Sequence, residues 1–298
     1  MSKIILPRYP VYIPSKGRAD HFLTARILTD DGVPFKVVVE PPEYDAYAAI
    51  VGKENVLVLP FHDLGLGSIP ARNWIWEHAK AGGKERHWCI DDNIGKFYRW
   101  YHGKRIPCAA GPALAVVEDF SDRYVNVAVA GLNYTCFAIS KRPPFLLNNR
   151  VYSCMLILNN LHQRWRGRYN EDADLCLQVL ADNWCTVLVN VFLIAKAMTM
   201  TMKGGNTDLL YAGDGRLRMA RSLERVWPGT VSVYRRFQRP QHLVYDQWQR
   251  FDTPLRLKPG IDLSKLPKVD EYGIRLEQVK PVKSRKLKRL VSEYGNEN

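Results

Sequence analysis

A short hydrophobic run in the first third of the chain ends in Asp91, Asp92 and Asn93. Two carboxylates and a carboxamide at the end of a strand could give one or two oxygen ligands to Mg²⁺ or Mn²⁺, which keep open positions for substrate phosphates. The same residue types also form ordinary Asx turns. Both a metal site and a simple turn fit this segment.

A second acidic segment, Tyr169–Asp174, stands before the apolar positions of a predicted helix. Asn170 is a good N-cap, and acids in a first turn suit the helix dipole, so capping explains these residue types. In the functional interpretation, one of these carboxylates is a general base that takes the proton from an acceptor hydroxyl. Such a base is worth roughly 10²- to 10⁴-fold in rate.

Two glycine-containing loops could hold phosphate groups. A helix N-terminus and basic side chains attract anions to the first loop, and a glycine pair can turn its amides toward phosphate oxygens in the second. Solvated loops are the alternative for both, and the chain has neither a P-loop nor a G-x-G-x-x-G pattern. The two loops contain Ser15, Lys16 and Arg18, and Lys203, Gly204 and Gly205.

Arg72 lies in the first turn of another predicted helix, directly before Asn73. A positive charge at that end of a helix is unfavourable against the helix dipole. Its presence there therefore indicates either an anionic ligand or an ion pair with Asp91 or Asp92.

The elements that would position these residues follow an alternating pattern. The first hundred residues alternate between short apolar runs and amphipathic stretches, which indicates a doubly wound α/β sheet with ligands at the strand carboxyl ends. The predicted strands are Val11–Pro14, Phe35–Glu40, Val56–Leu59, His87–Asp91, Tyr124–Ala130, Tyr134–Ile139, Tyr152–Leu158 and Thr186–Ile194. The predicted helices are Ala19–Asp30, Pro42–Val51, Pro70–Ala81 and Asn170–Asn183.

Composition narrows the class of protein. The 298 residues are 46% hydrophobic, which is enough for one large or two modest cores. With 43 Lys and Arg against 30 Asp and Glu, the formal net charge of +13 favours polyanionic partners. The apolar runs are far shorter than the roughly 20 residues of a membrane span, and the N-terminus lacks a signal pattern, so a soluble cytoplasmic protein is expected. Six cysteines without a C-x-x-C pair predict buried, reduced thiols.

The C-terminal third is basic and aromatic. Arg216–Arg256 contains nine arginines against three acidic residues, with aromatic side chains between them. This composition is typical of surfaces that follow phosphates and stack bases, although a solvated face over buried aromatics is the alternative. Lys280–Arg289 carries six positive and no negative residues, which predicts a basic tail of low order. The candidate DNA contacts are Arg235, Arg236 and Arg239.

Taken in their order along the chain, these features resemble the GT-A glycosyltransferases. The resemblance implies that the first loop and an acid after the second strand hold the nucleoside, and that an Arg-Asn helix faces the nucleotide sugar. It also implies that the acidic strand end binds ribose and metal, and that a late Glu-Asp pair provides the base of inverting members. By position, these roles fall to Ser15, Lys16 and Arg18; Glu40; Arg72 and Asn73; Asp91, Asp92 and Asn93; and Asp172 with Glu171.

Four motifs together resemble, more narrowly, the TET-associated glycosyltransferases, which are largely bacteriophage-encoded. They are V-Y-I-P-S-K-G-R-A, I-D-D-N-I, Y-N-E-D-A-D-L-C-L and K-G-G-N-T-D, and the resemblance covers about residues 10 to 225. It implies transfer of a sugar from a nucleotide donor to 5-hydroxymethylpyrimidines in DNA. The usual D-x-D pattern has Asn93 in its third position here, so metal ligation through Asp92 or Asn93 departs from the family form.

These observations give one combined hypothesis. The expected fold is a GT-A-like, Rossmann-type mixed central sheet flanked by helices, with a catalytic domain at 1–210 and a basic region at 211–298. The expected activity is inverting, metal-assisted transfer, with Mn²⁺ or Mg²⁺, of glucose from UDP-glucose to 5-hydroxymethylcytosine in DNA. The alternatives are a GT-A enzyme acting on a saccharide or protein hydroxyl, and a non-catalytic DNA-binding protein.

Overall fold

A computed structural model describes residues 5–101, 103–137, 143–197, 215–236, 239–244, 246–269 and 272–274. The chain forms two compact units, Met1–Ile261 and Asp262–Asn298. In the second unit, Asp262 caps a short 3-10 helix by accepting the Ser264 N–H at 3.0 Å. The expected boundary at residue 210 stays a prediction, and the predicted tail Lys280–Arg289 lies outside the described residues.

The first unit alternates strands and helices through most of its length. The strands are β1 (Val11–Pro14), β2 (Lys36–Val39), β3 (Val56–Val58), β4 (Arg86–Ile90), β5 (Ile94–Tyr101), β6 (Lys104–Cys108), β7 (Val127–Tyr134), β8 (Phe145–Leu147), β9 (Cys154–Leu158), β10 (Cys185–Lys196), β11 (Ser232–Arg236) and β12 (Arg239–Leu243). The helices are α1 (Leu23–Asp30), α2 (Tyr44–Val51), α3 (Ile69–Ala81), α4 (Ala110–Ser121), α5 (Glu171–Ala181) and α6 (Gly215–Val226).

Ten of these strands form one sheet, in the order β3-β2-β1-β4-β9-β7-β10-β5-β6, with β8 also paired to β10. The β3-β2-β1-β4 half is parallel, whereas β9 is antiparallel to both β4 and β7. β7 and β10 are parallel to each other. Consequently β1, β2, β4, β7 and β10 all point the same way, and their carboxyl ends share one edge of the sheet with the start of β9.

Burial explains why the central strands are so apolar. Every residue of β4 and of β9 is buried, as expected where helices cover both faces of a sheet. One core cluster joins β9 and α5 to Leu223 of α6, and to Val231 and Val244 beside the β11–β12 hairpin. The basic segment that follows residue 214 therefore shares a hydrophobic core with the sheet.

The mixed α/β fold with a large central sheet flanked by helices confirms the predicted fold class. The four strands of the N-terminal half and the three helices between them lie where predicted, within a few residues. The predicted strand Tyr134–Ile139 is wrong at residues 135–137, because the chain turns after Tyr134, whose carbonyl accepts the Phe137 N–H at 3.0 Å. Residues 138–142 are outside the description.

Several elements escaped the sequence analysis. The β5–β6 hairpin lacks the alternation of a half-buried strand, and α4 begins with the helix-disfavouring sequence Ala110-Gly111-Pro112.

All six cysteines are free, and four are buried as predicted, but Cys136 is exposed and Cys108 is half-buried. Among the described residues, no helix is long and apolar enough to cross a membrane.

Gly131 allows β7 and β9 to approach closely. A Cβ atom at this position would lie 2.1 Å from the Cys154 carbonyl oxygen and 2.5 Å from Val151 Cγ1. Because Val151 and Cys154 are both fully buried, neither can move aside cheaply. This close approach, not a nucleotide-binding fingerprint, accounts for the glycine.

We expect Gly131→Ala to lower the free energy of unfolding by about 1–3 kcal/mol, the usual cost of overpacking a core. Gly95→Ala is the matched control, because its Cβ would meet nothing closer than 3.7 Å. Urea unfolding of the two variants measures the difference. Equal midpoints would contradict the packing argument.

Candidate active site

The shared edge of the sheet brings several predicted site residues together with others that were not predicted. Asp91 follows β4 directly, Lys196 ends β10, and Ser153 precedes β9. Arg72 reaches this edge from the first turn of α3, and Asp172 from the first turn of α5. Residues distant in sequence therefore meet because their elements end at one edge.

These residues form a closed ring of hydrogen bonds, called here the Arg72 ring. Arg72 donates to Asp172 Oδ1 at 2.9 Å and to Asp91 Oδ1 at 2.7 Å. Lys196 Nζ donates to Asp91 Oδ2 at 2.6 Å and to Ser153 Oγ at 2.7 Å. The Ser153 N–H closes the ring on Asp172 Oδ2 at 3.1 Å. Both carboxylates are thus fixed in orientation by two partners each.

The Arg72 guanidinium is deeply enclosed. The residue is 4% exposed, and its guanidinium carbon lies 4.5 Å from the centre of the Trp165 ring. Glu171 Oε1 lies 3.9 Å from the guanidinium and accepts a hydrogen bond from Ser68 at 3.1 Å. Of the two interpretations of Arg72, the ion pair with Asp91 is confirmed, and a second pair with Asp172 is added.

Electrostatics separate the two carboxylates of the ring. Burial raises the pKa of Asp172 to about 7; the Arg72 guanidinium opposes this rise, while Glu171 and Asp91 add to it. For Asp91, the charges of Lys196 and Arg72 outweigh burial and hold the pKa well below its usual value. The same ion pair with Asp91 raises the pKa of Lys196 against the effect of burial. Asp172 is therefore the ring carboxyl that can exchange a proton near neutral pH.

A second cluster fixes the first loop to Asp92. Ser15 Oγ donates to Asp92 Oδ2 at 2.7 Å, and Arg18 donates to Asp92 Oδ1 at 2.6 Å. Tyr47 of α2 also belongs to this cluster. Its hydroxyl lies 2.6 Å from Ser15 Oγ and accepts the Arg18 N–H at 3.1 Å. Ser15 and Arg18 thus lie beside the acidic strand end, as predicted.

Lys16 turns away from Asp92 toward the end of β2. Its ammonium group donates to Glu40 Oε2 and to Asp63 Oδ1, both at 2.6 Å. Glu40 also accepts the Asp63 N–H at 3.2 Å. The structure therefore brings the predicted nucleoside residues Lys16 and Glu40 together at the same edge, with Asp63 as a further member.

Two of the predicted asparagines have other surroundings than expected. Asn73 exchanges both amide hydrogen bonds with the Trp165 main chain, at 2.8 and 3.0 Å, and so holds the loop that covers Arg72. Asn170 has a left-handed φ of 57° and makes no capping hydrogen bond; its amide donates instead to the Met219 carbonyl at 2.7 Å. The predicted N-cap role of Asn170 is thus wrong.

The donor set does not fit a divalent cation as it is arranged. Both oxygens of Asp92 accept hydrogen bonds from Arg18 and Ser15, and the described part of the chain has no group of three His, Cys, Asp or Glu that could hold a metal. The Asn93 side-chain oxygen is buried without a hydrogen-bond partner, but one carboxamide oxygen is a single ligand. The predicted Mn²⁺ or Mg²⁺ site at Asp92 and Asn93 therefore stays a prediction that requires Arg18 or Ser15 to be displaced.

Sequence analysis missed Lys196, Ser153 and Tyr134, whose hydroxyl lies 2.6 Å from Ser153 Oγ. Lys196 carried one usable signal, since it is a polar residue at the carboxyl end of an apolar strand. That signal places Lys196 at the site only if its strand runs in the same direction as β4, and the sequence does not show the relative directions of strands. Lys203, Gly204 and Gly205 lie outside the described residues, so their predicted contact with phosphate stays a prediction.

The predicted DNA-contact arginines belong to the β11–β12 hairpin. Arg235 and Arg239 are exposed, and Arg236 pairs with Arg239 in the strand register. They lie on elements other than those of the Arg72 ring. Their role in binding DNA stays a prediction.

Comparison with known proteins also separates residues 9–205 from the basic C-terminal segment. A model of the TET-Associated Glycosyltransferase family matches residues 9–205, a range that includes every member of the Arg72 ring. No curated protein matches the chain. One solved structure, of a Desulfovibrio desulfuricans G20 protein whose assignment as a nucleotide-diphospho-sugar transferase is itself provisional, aligns at 10% identity. Its TM-score is 0.35, over 62% of this chain and 80% of that one. The family match spans more than half of the sequence, and on that match the chain belongs to the TET-associated glycosyltransferases.

Proposed function

We propose that the protein transfers a sugar, glucose from UDP-glucose, to the hydroxymethyl group of 5-hydroxymethylcytosine in DNA. The observation that carries the proposal is Asp172, a carboxyl group fixed by Arg72 and the Ser153 N–H, with a pKa of about 7. A general base works best when its pKa lies near the working pH. Membership of a glycosyltransferase family supports the transfer itself.

Asp172 accepts the proton of the acceptor hydroxyl as its oxygen attacks the anomeric carbon of the donor. The bond from that carbon to the phosphate oxygen breaks, and the electron pair leaves with the nucleoside diphosphate. A single displacement of this kind inverts the anomeric configuration. The Asp172 side chain is 14% exposed, so it is largely enclosed but not sealed from the surface.

The donor would lie along the shared edge, against the Ser15–Arg18 loop, Glu40 and Asp91. Carboxylates outnumber cations among the site residues described above, so a nucleotide diphosphate needs further positive charge there. Lys203, beside Gly204 and Gly205, is the proposed source, because Lys203 lies only a few residues beyond Lys196 in sequence. Fixed positive groups stabilise the charge that develops on a departing diphosphate.

The acceptor proposal depends on charge. The formal net charge of +13 and the exposed Arg235 and Arg239 favour a polyanion over a neutral saccharide. The hydroxymethyl group of the modified base projects into the major groove, where an enzyme can reach it without first extruding the base.

The first test combines the purified protein with nucleotide sugars and DNA that contains either cytosine or 5-hydroxymethylcytosine, in separate reactions with and without Mn²⁺. Digestion and mass spectrometry of the nucleosides should show a hexosyl mass gain confined to the hydroxymethylated DNA. Transfer to a DNA-free hydroxyl would move the acceptor to a saccharide or protein. Failure to bind any nucleotide sugar would favour a non-catalytic DNA-binding protein.

We expect Asp172→Asn to lower transfer by about 10²- to 10⁴-fold, because the amide cannot accept the proton. Nucleotide-sugar binding, measured by calorimetry, should change little. Asp45→Asn is the matched control, since Asp45 also lies in the first turn of a helix but is exposed. Unchanged turnover in the Asp172 variant would remove this residue from the mechanism.

The pH dependence of kcat/KM gives an independent test. Activity should rise with pH through about 7, because Asp172 must lose its proton before it can act as a base. The Lys196 charge lowers the pKa of Asp172, so Lys196→Met should move the rising limb to higher pH. Lys84→Met, at an exposed position, should leave the limb in place. A Lys196 variant with reduced activity but an unmoved limb would make Lys196 a purely structural residue.

A further inference from the structure

The β5–β6 hairpin, called here the basic ribbon, is an unassigned feature next to the site. β5 begins directly after Asn93, and the two strands pair in antiparallel register from Phe97 opposite Cys108 to Tyr101 opposite Lys104. Ile94 and Phe97 are buried where the ribbon joins the sheet. Beyond Phe97 the described residues on both faces are half-buried or exposed, so this part presents two faces at the surface.

The ribbon carries positive charge on both faces. Side chains alternate along a strand, so Lys96 lies on one face with Arg105, which pairs opposite Trp100. Arg99 and Lys104 lie on the other face. The sequence from 94 to 108 contains no acidic residue. Each face thus has two cations that no carboxylate within the ribbon offsets.

Aromatic rings accompany these cations. The Arg105 guanidinium lies 5.9 Å from the Trp100 ring, Arg99 lies 5.1 Å from Tyr101, and the Lys96 ammonium lies 5.9 Å from Tyr98. Such contacts stiffen long basic side chains in place while leaving their charge available. Ordered cations and flat apolar rings are together suited to a nucleic acid.

We infer that the basic ribbon binds the major groove of the DNA that carries the acceptor base, an inference that rests on the proposed function. The major groove of B-DNA admits a two-stranded β-ribbon, and phosphates line both of its walls. Beyond Arg99, where the pairing with β10 ends, the ribbon is two-stranded and has Arg105 on one face and Lys104 on the other, which matches that arrangement. The proposed acceptor hydroxyl projects into the same groove.

The ribbon is also joined directly to the Arg72 ring. Its first strand pairs with the end of β10, with Ile94 opposite Lys196 and Lys96 opposite Ala195. DNA held on the ribbon would therefore lie beside the element that presents Lys196. This continuity distinguishes the ribbon from the β11–β12 hairpin, whose arginines are on separate elements.

Edge protection explains only part of this pattern. Lysine and proline on an exposed edge strand prevent pairing with other chains, and β6 has Lys104 and Pro107. β5, however, is paired on both sides, to β10 and to β6. Edge protection therefore does not account for a lysine at position 96 of β5, and contact with phosphate does.

The test compares two variants of the full chain that lose the same charge. The ribbon variant is Lys96→Gln, Lys104→Gln and Arg105→Gln, and the control variant is Lys53→Gln, Lys80→Gln and Lys84→Gln; all six positions are exposed. Affinity for a hydroxymethylated duplex is measured at several salt concentrations. Circular dichroism and the urea midpoint, measured separately, report whether each variant keeps its fold.

We expect the ribbon variant to bind the duplex at least tenfold more weakly than the control, with a salt slope smaller by up to about 2.7, or 0.9 for each lost phosphate contact. Duplex binding equal to that of the control overturns the inference. Weaker binding to single strands with unchanged duplex binding also overturns it, because the ribbon would then not read a groove. A wild-type chain that binds DNA through the ribbon but transfers no sugar would refute the proposed function alone.

Discussion

The buried Arg72 guanidinium is the charge around which the site is organised. A cation that is 4% exposed is tolerated only when carboxylates and hydrogen bonds replace its lost water. Asp91 and Asp172 provide the two carboxylates that pair with Arg72, and the Trp165 ring covers one face of its guanidinium. Because these partners come from β4, α5 and the loop before α5, one ion-pair network fixes the relative positions of several elements.

The same network gives two chemically equal carboxyl groups different properties. Asp91 faces both Arg72 and Lys196, and their positive charges keep it ionised. Of the two cations in the ring, only Arg72 donates a hydrogen bond to Asp172, which also stands beside Glu171, so burial dominates and raises its pKa to about 7. Environments that give two neighbouring carboxyl groups different pKa values are characteristic of acid–base sites. Among the described residues, carboxylates also outnumber cations at this edge.

The sheet order relates this site to the two basic surfaces of the protein. The basic ribbon continues from the acidic strand end and pairs with β10, whereas the β11–β12 hairpin joins the molecule through the core that α6 shares with α5. A polyanionic acceptor could contact both, but only the ribbon is joined by backbone pairing to a strand that carries a ring residue. Position relative to the Arg72 ring, more than the number of arginines, thus separates these two hairpins.

The sequence alone determined the fold class, the N-terminal strands and helices, and most of the polar residues of the site. It could do so because apolar periodicity and strand-end polar residues are local signals, as the exact bounds of β1 and the acids after β4 illustrate. The sequence could not show that Lys196 faces Asp91, because that contact requires β10 to run parallel to β7 in a sheet joined through β9. Nor could it show that Asn73 holds Trp165, that Asp92 is occupied by Ser15 and Arg18, or that β5 and β6 form a ribbon. Those facts depend on which strands become neighbours and in which direction they run, and only the tertiary structure decides that.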